Sequence, residues 1–198
     1  MILKYIVMQL SNNQWKFKKL QEKEIKLGEL FRNINNLIVN FSNPKVTESD
    51  ADLIIDNIWL GNCTAAHDYN FFTNNNIEFV INATDTIPNK FPFINYSTFP
   101  IKDISACHQD MMGIIETGAD IINRTVLENK PILVHCKRGH HRSASIIAFY
   151  LMKYHNMTLI EAVYVIKKYR PTAFRRMTCM LKTLIVYEHN KNSYQIFI

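Results

Sequence analysis

Along this chain the spacing of apolar positions changes several times, and each change predicts an element. Four short apolar runs read as strands: LIIDNIWLG over 53–61, IEFVINAT over 77–84, YSTFPI over 96–101 and ILVHC over 132–136. Between the last two, Ile114, Ile115, Ala119, Ile122 and Val126 recur at helical spacing, and three further helical stretches follow Cys136. Thr158-x-x-Glu161 is a capping box that opens one of them, because its two side chains satisfy backbone N–H groups that a first turn leaves open. Pro171 separates the last two helices by breaking the hydrogen-bond ladder. Strands interleaved with helices predict an α/β fold: a central mixed, largely parallel sheet flanked by helices, with ILVHC buried on both faces. Local Asn runs such as Asn74-Asn75-Asn76 read as turn chemistry.

The first 50 residues differ in pattern. From Trp15 to Phe41 the chain is rich in Lys and Glu, with Leu20, Ile25, Leu30 and Phe31 set among the charges, which predicts an N-terminal helical arm. Asn43-Pro44 and the polar stretch to Asp50 mark a boundary. The expected organisation is an N-terminal extension over 1–50, one catalytic domain over 51–190 and a short tail over 191–198. The arm is expected to be a packing or solvated helix, with homodimerisation or partner docking the sharper alternative. Lys16, Lys18 and Lys19 read as a wet face of it, and Phe174, Met180, Leu181 and Leu184 as core.

Composition narrows the field. With 198 residues, 47% apolar and 20% charged, the chain can bury one good core and does not read as disordered. No apolar run reaches membrane-spanning length, and the opening MILKYIVMQL lacks the marks of a cleaved leader, so a cytoplasmic protein is expected. Four scattered cysteines, Cys63, Cys107, Cys136 and Cys179, form no CxxC pair or zinc spacing; free thiols in a reducing compartment are the simplest expectation, with no metal and no cofactor. A net charge of +6 favours anionic partners.

The candidate chemistry lies where the buried strand ILVHC meets a helix. In VHCKRGHHRS, spanning Val134 to Ser143, five residues separate Cys136 from Arg142. A loop of that length can wrap a tetrahedral dianion with inward backbone N–H groups, helped by the positive end of the following helix. Gly139 lets it turn. In that field Cys136 should favour the thiolate, the nucleophilic form. Arg142 offers a planar fork for two phosphate oxygens, which Lys cannot copy. Ser143 is placed to donate to the sulfur, and His135 to order the loop rather than act as a base. Lys137, Arg138, Gly139, His140 and His141 complete the expected phosphate cradle.

VHCKRGHHRS fits every fixed position of Ile/Val-His-Cys-x-x-Gly-x-x-Arg-Ser/Thr, and in this the chain resembles the protein tyrosine phosphatase superfamily. NIWLGN, VINAT, FPIKD and YRP, over roughly residues 52–188, look like its dual-specificity branch, whereas a WPD-type acid loop and a phosphotyrosine-recognition insert are missing. The resemblance implies a phosphatase-like fold, a permissive pocket, and hydrolysis of phosphotyrosine and phosphoserine/phosphothreonine in proteins through a phosphocysteine. Asp103 in FPIKD, 136 − 103 = 33 positions before the cysteine, is the expected general acid; Asp110, at the start of a helix, is its nearest rival.

Lys137, Arg138, His140 and His141 make this loop more basic than those of many protein-directed relatives. CKRGHHR is similar to loops of plant and fungal atypical phosphatases that cleave inositol pyrophosphates, and Lys137 is shared with phosphoinositide phosphatases. Polyphosphorylated small molecules are therefore the second substrate class. RNA 5′-triphosphate hydrolysis is a third, although no aromatic-basic interleaving supports specific nucleic-acid binding. A phosphate-binding scaffold without turnover is the non-enzymatic alternative.

Overall fold

The computed structural model describes residues 27–40, 49–101 and 111–194. Its sheet has five strands: β1 (Ala51–Ile55), β2 (Ile58–Gly61), β3 (Phe79–Asn82), β4 (Asn95–Thr98) and β5 (Ile132–His135). The run read from the sequence as one strand over 53–61 is a hairpin, β1 pairing antiparallel with β2. It turns at Asp56-Asn57, where Asp56 takes φ 44°, a left-handed conformation that Asp tolerates better than most residues.

The strand order is β1-β2-β5-β3-β4, and every pair except β1–β2 is parallel. This is the mixed, largely parallel sheet expected. β5 lies at the centre, in a register that sets His135 beside both Gly61 and Asn82. Three carboxyl ends therefore finish level, and the loop after β5 starts at the position where α/β sheets bind ligands.

Side chains alternate across the sheet and feed two cores. Ile81, Ile132 and Val134 point into the larger one, while Val80 and Leu133, one residue out of phase, join Phe72 and Phe91 in the smaller one on the other face. The smaller core is covered by α2 (Tyr69–Asn74) and the loop before β4. The larger is covered by α3 (Met111–Leu127), α4 (Arg142–Tyr154), α5 (Leu159–Tyr169) and α6 (Cys179–Tyr194). α4 is buried from Arg142 to Met152, so the helix that leaves the loop is held on every side. At its crossing with α3, a Cβ on Gly118 would stand 2.7 Å from Ile146 Cγ2, which explains the glycine.

The capping box forms as read: Glu161 N–H donates to Thr158 Oγ1 at 3.3 Å and Thr158 N–H to Glu161 Oε2 at 2.8 Å. Glu188, on α6, accepts from the Leu159 N–H at 2.7 Å and ties the last helix to the start of α5. A further helix, α1 (Leu27–Asn40), precedes the sheet, and its stripe Leu30, Ile34 and Ile38 is buried in the larger core beside α5 and α6. Each of these side chains contributes about 2 kcal/mol by leaving water. For residues 27–40 the packing reading of the arm applies; 1–26, with Lys16, Lys18 and Lys19, lie outside the described residues. Phe174, Met180, Leu181 and Leu184 are buried as expected. Among the described residues no helix is long and apolar enough to cross a membrane.

Candidate active site

The loop from Cys136 to His141 closes a cleft of about 410 Å³ lined by Cys136, Lys137, Arg138, His140, His141, Arg142, Arg175 and Arg176. Gly139 turns the loop at φ +67°, and a Cβ there would stand 2.5 Å from the Gly61 carbonyl oxygen. Both conformation and space therefore require glycine at this point. The Cys63 N–H donates to the Lys137 carbonyl at 3.3 Å, seating the loop on the turn that follows β2.

Cys136 is buried, and its Sγ accepts a hydrogen bond from Ser143 Oγ at 3.3 Å. Burial alone would push the thiol up. The Ser143 hydroxyl, the Ser143 backbone, the Arg142 charge and the Arg138 backbone together outweigh it and hold the thiol below its ordinary value. Arg142 is buried in the first turn of α4, with Nη1 donating to the Ile101 carbonyl at 2.9 Å. The guanidinium is thus aimed by the segment after β4, at the mouth of the cleft that it lines.

Behind the loop, Arg170 is 1% exposed and gathers four acceptors. It donates to the Gly139 carbonyl at 3.0 Å, the Arg138 carbonyl at 3.1 Å, the Ser49 carbonyl at 3.0 Å and Asp52 Oδ2 at 2.7 Å. Two loop carbonyls that would point away from an anion are therefore satisfied from behind, leaving the loop N–H groups to face the cleft.

Known proteins match this arrangement. The family model described as "Dual specificity phosphatase, catalytic domain" covers residues 58–190. This chain belongs to that family. Mouse dual specificity protein phosphatase 14 is 35% identical over 136 residues, which are 68% of this chain and 67% of that protein. Rat dual specificity protein phosphatase 18 is 31% identical over 162 residues, 80% of this chain and 77% of that protein. The crystal structure of human DUSP28 superposes with a TM-score of 0.66 at 20% identity, covering 74% of this chain and 97% of that one, a likeness of fold. The dual specificity phosphatase described here is thus an enzyme that dephosphorylates tyrosine and serine/threonine in phosphoproteins, by the cysteine-dependent chemistry general to its family.

Of the phosphatase residues expected from sequence, the structure brings Cys136, Lys137, Arg138, His140, His141 and Arg142 to one cleft, with Gly139 in its wall and Ser143 on the sulfur. Asp103, its rival Asp110 and Cys107 lie outside the described residues. Cys63 and Cys136 are free thiols. Cys179 corrects the free-thiol expectation: it is buried at the start of α6 and disulfide-bonded, a fixed position that sequence spacing does not reveal. Sequence reasoning missed Arg170, Arg175 and Arg176. Two basic residues following YRP-Thr-Ala-Phe were the available signal, but only the turn before α6 shows that they reach the cleft.

His135 supplies a pH dependence. Its ring is 1% exposed and lies against the Cys136 backbone. Burial pushes its pKa down to about 4; the Cys136 backbone opposes this, while His67 and Arg142 add to it. The unfolded chain takes up this proton near pH 6.5 and the folded one only near 4, so stability falls as pH drops through that window. The full loss is about 3 kcal/mol. Urea unfolding at pH 7, 6, 5 and 4 should show that slope, flatter in His135→Asn; equal slopes would remove His135 as its source.

Proposed function

We propose that Cys136 is the nucleophile, Arg142 the phosphate clamp, Ser143 the donor that stabilises the departing thiolate, and Asp103 the general acid. The observation that carries this reading is the Cys136 sulfur, held toward its thiolate by the Ser143 hydroxyl and by Arg142 at the start of a buried helix. In the first step a P–S bond forms as the P–O bond to the substrate breaks, and Asp103 gives its proton to the leaving oxygen. In the second, the Asp103 carboxylate takes a proton from water as that water attacks phosphorus and the P–S bond breaks. Lys137, Arg138, His140, His141 and the loop amides hold the phosphoryl oxygens meanwhile, and His135 orders the loop from beneath.

The catalytic unit in this reading is residues 51–190, with α1 as an outer wall of its core. Phosphoproteins are the substrates. A second reading, a polyphosphorylated small molecule such as an inositol pyrophosphate, is favoured by one observation: five permanent cations line the cleft, and no carboxylate does among the described residues.

The test of the general acid uses aryl phosphates of graded leaving-group pKa, with chelator present. Asp103→Asn should slow turnover by about 10²-fold for poor leaving groups and much less for good ones. A uniform effect, or none, would assign the proton to another group.

A further inference from the structure

Each carbonyl from Lys137 to His141 has to point away from an anion in the cleft, so that the loop amides can face it, and each finds a donor behind the loop. The Lys137 carbonyl accepts from the Cys63 N–H, those of Arg138 and Gly139 from Arg170, and that of His141 from the Ser145 N–H at 2.9 Å. The His140 carbonyl is served from the turn between α5 and α6, by the Phe174 N–H at 2.7 Å. Phe174 holds φ 51°, a left-handed conformation that a bulky residue adopts only under constraint. Its side chain is fully buried, which fixes the ring but leaves the peptide plane before it to be set by other groups.

Lys167 sets that plane. Its Nζ donates to the Pro171 carbonyl at 3.0 Å and to the Ala173 carbonyl at 2.7 Å, and the Ala173 N–H donates to the Arg170 carbonyl at 2.9 Å. The Ala173 carbonyl and the Phe174 N–H belong to one planar peptide unit, so the lysine grips one end of the group whose other end grips the loop. Lys167 is fully buried and its two bonds go to neutral carbonyls; burial first, and the charge of Arg175 second, lower its pKa to about 8. A buried ammonium costs free energy that an apolar side chain of the same length would not. Stability alone therefore does not account for a lysine here, whereas fixing the orientation of one peptide does.

We propose that Lys167 is a positioning residue for catalysis: through the peptide between Ala173 and Phe174 it holds the His140 carbonyl turned away from the cleft, and thereby keeps the loop amides aimed as the transition state requires. The inference rests on the catalytic reading above and adds to it a residue that does not line the cleft. Amides aimed in advance stabilise the trigonal phosphoryl group more than the bound ester, so the effect of Lys167 lies in kcat.

The experiment compares Lys167→Met with the wild type in hydrolysis of an aryl phosphate and in inhibition by vanadate, which adopts the transition-state geometry on the nucleophile, and by inorganic phosphate, which does not. In the variant kcat should fall by about tenfold with KM within about twofold, and vanadate affinity should fall by about the same factor while phosphate affinity changes little. Ile34→Ala, in the core beside α5, is the control for lost stability: its melting temperature drops, but kcat per titrated active site and vanadate affinity should stay at wild-type values. Equal losses in the two variants, or a Lys167→Met enzyme with wild-type kcat and vanadate affinity, overturn the proposal. Amide exchange in the wild type tests it without a substitution. By linkage, vanadate must protect the Phe174 N–H by the factor that breaking its bond to His140 costs vanadate. That protection should rise about tenfold more than at the Asn75 N–H, which bonds the Phe71 carbonyl at the end of α2 on the other face of the sheet. Equal changes at the two amides overturn the positioning role alone. Failure of the wild type to hydrolyse even a simple aryl phosphate overturns the catalytic reading and the positioning role together.

Discussion

Cys136→Ser is expected to lower kcat by about 10⁴-fold or more while leaving a folded protein that still binds phosphate. The Ser143 hydroxyl bond and the Arg142 charge favour a thiolate at Cys136, whereas a serine hydroxyl in the same surroundings stays protonated and attacks poorly. The exchange of sulfur for oxygen changes little else. The Gly139 turn, the carbonyl contacts of Arg170 and the Arg142–Ile101 bond do not involve the sulfur, so the cradle keeps its shape. Burst and steady-state assays with an aryl phosphate, paired with calorimetric binding of a phosphopeptide, separate the two effects. Turnover near the wild-type rate would show that a different group attacks phosphorus. Loss of both turnover and binding, with a lowered melting temperature, would mean that the substitution had damaged the fold instead.

Arg170→Ala should produce the largest structural loss of any single substitution at the site, about 3–5 kcal/mol. Four acceptors lose their donor at once: the carbonyls of Gly139, Arg138 and Ser49, and the carboxylate of Asp52. The ion pair with Asp52, at 2.7 Å, is buried on the arginine side, whereas the carboxylate left behind is 22% exposed and can take up water, so most of the loss comes from the loop carbonyls left without a donor. For a chain of this size the loss corresponds to a melting temperature lower by roughly 10 °C. Arg170→Lys separates the two jobs of the side chain. A lysine can keep the Asp52 pair but cannot fork to two loop carbonyls, so stability should recover further than kcat/KM. Equal recovery of both would show that the loop does not depend on the fork, and a melting temperature unchanged in Arg170→Ala would remove the bridge from the account of stability.

How far these features could be read from sequence depends on how local their causes are. The capping box at Thr158 and Glu161 is settled within four residues, and it forms with both of its bonds. The strand before Cys136 is apolar on both faces because it is the centre of the sheet, and that too is written in its four residues. The hairpin at Asp56-Asn57 was hidden because apolar residues flank the turn on both sides and make one continuous run. Arg170 stood in plain view in YRP, yet its role rests on partners far away in the chain, Ser49 and Asp52 among them. Arg175 and Arg176 carry no local mark of a site, and only the Phe174 N–H bond to the His140 carbonyl brings their turn against the loop. α1 was legible as a helix, but its buried stripe at Leu30, Ile34 and Ile38 emerges only when α5 and α6 are present to receive it.

The strand order carries a consequence for how the molecule comes to be active. β5 sits between β2 and β3, both of which precede it by long stretches of chain, and its parallel pairings cannot form by local zippering. Closing those long loops is slow compared with winding a helix. The nucleophile loop hangs from the end of this late central strand and is braced by Arg170 from still further along the chain. Catalytic competence should therefore appear only with the final, cooperative phase of folding, and a ribosome-bound or truncated chain lacking α5 would have no working cradle to expose.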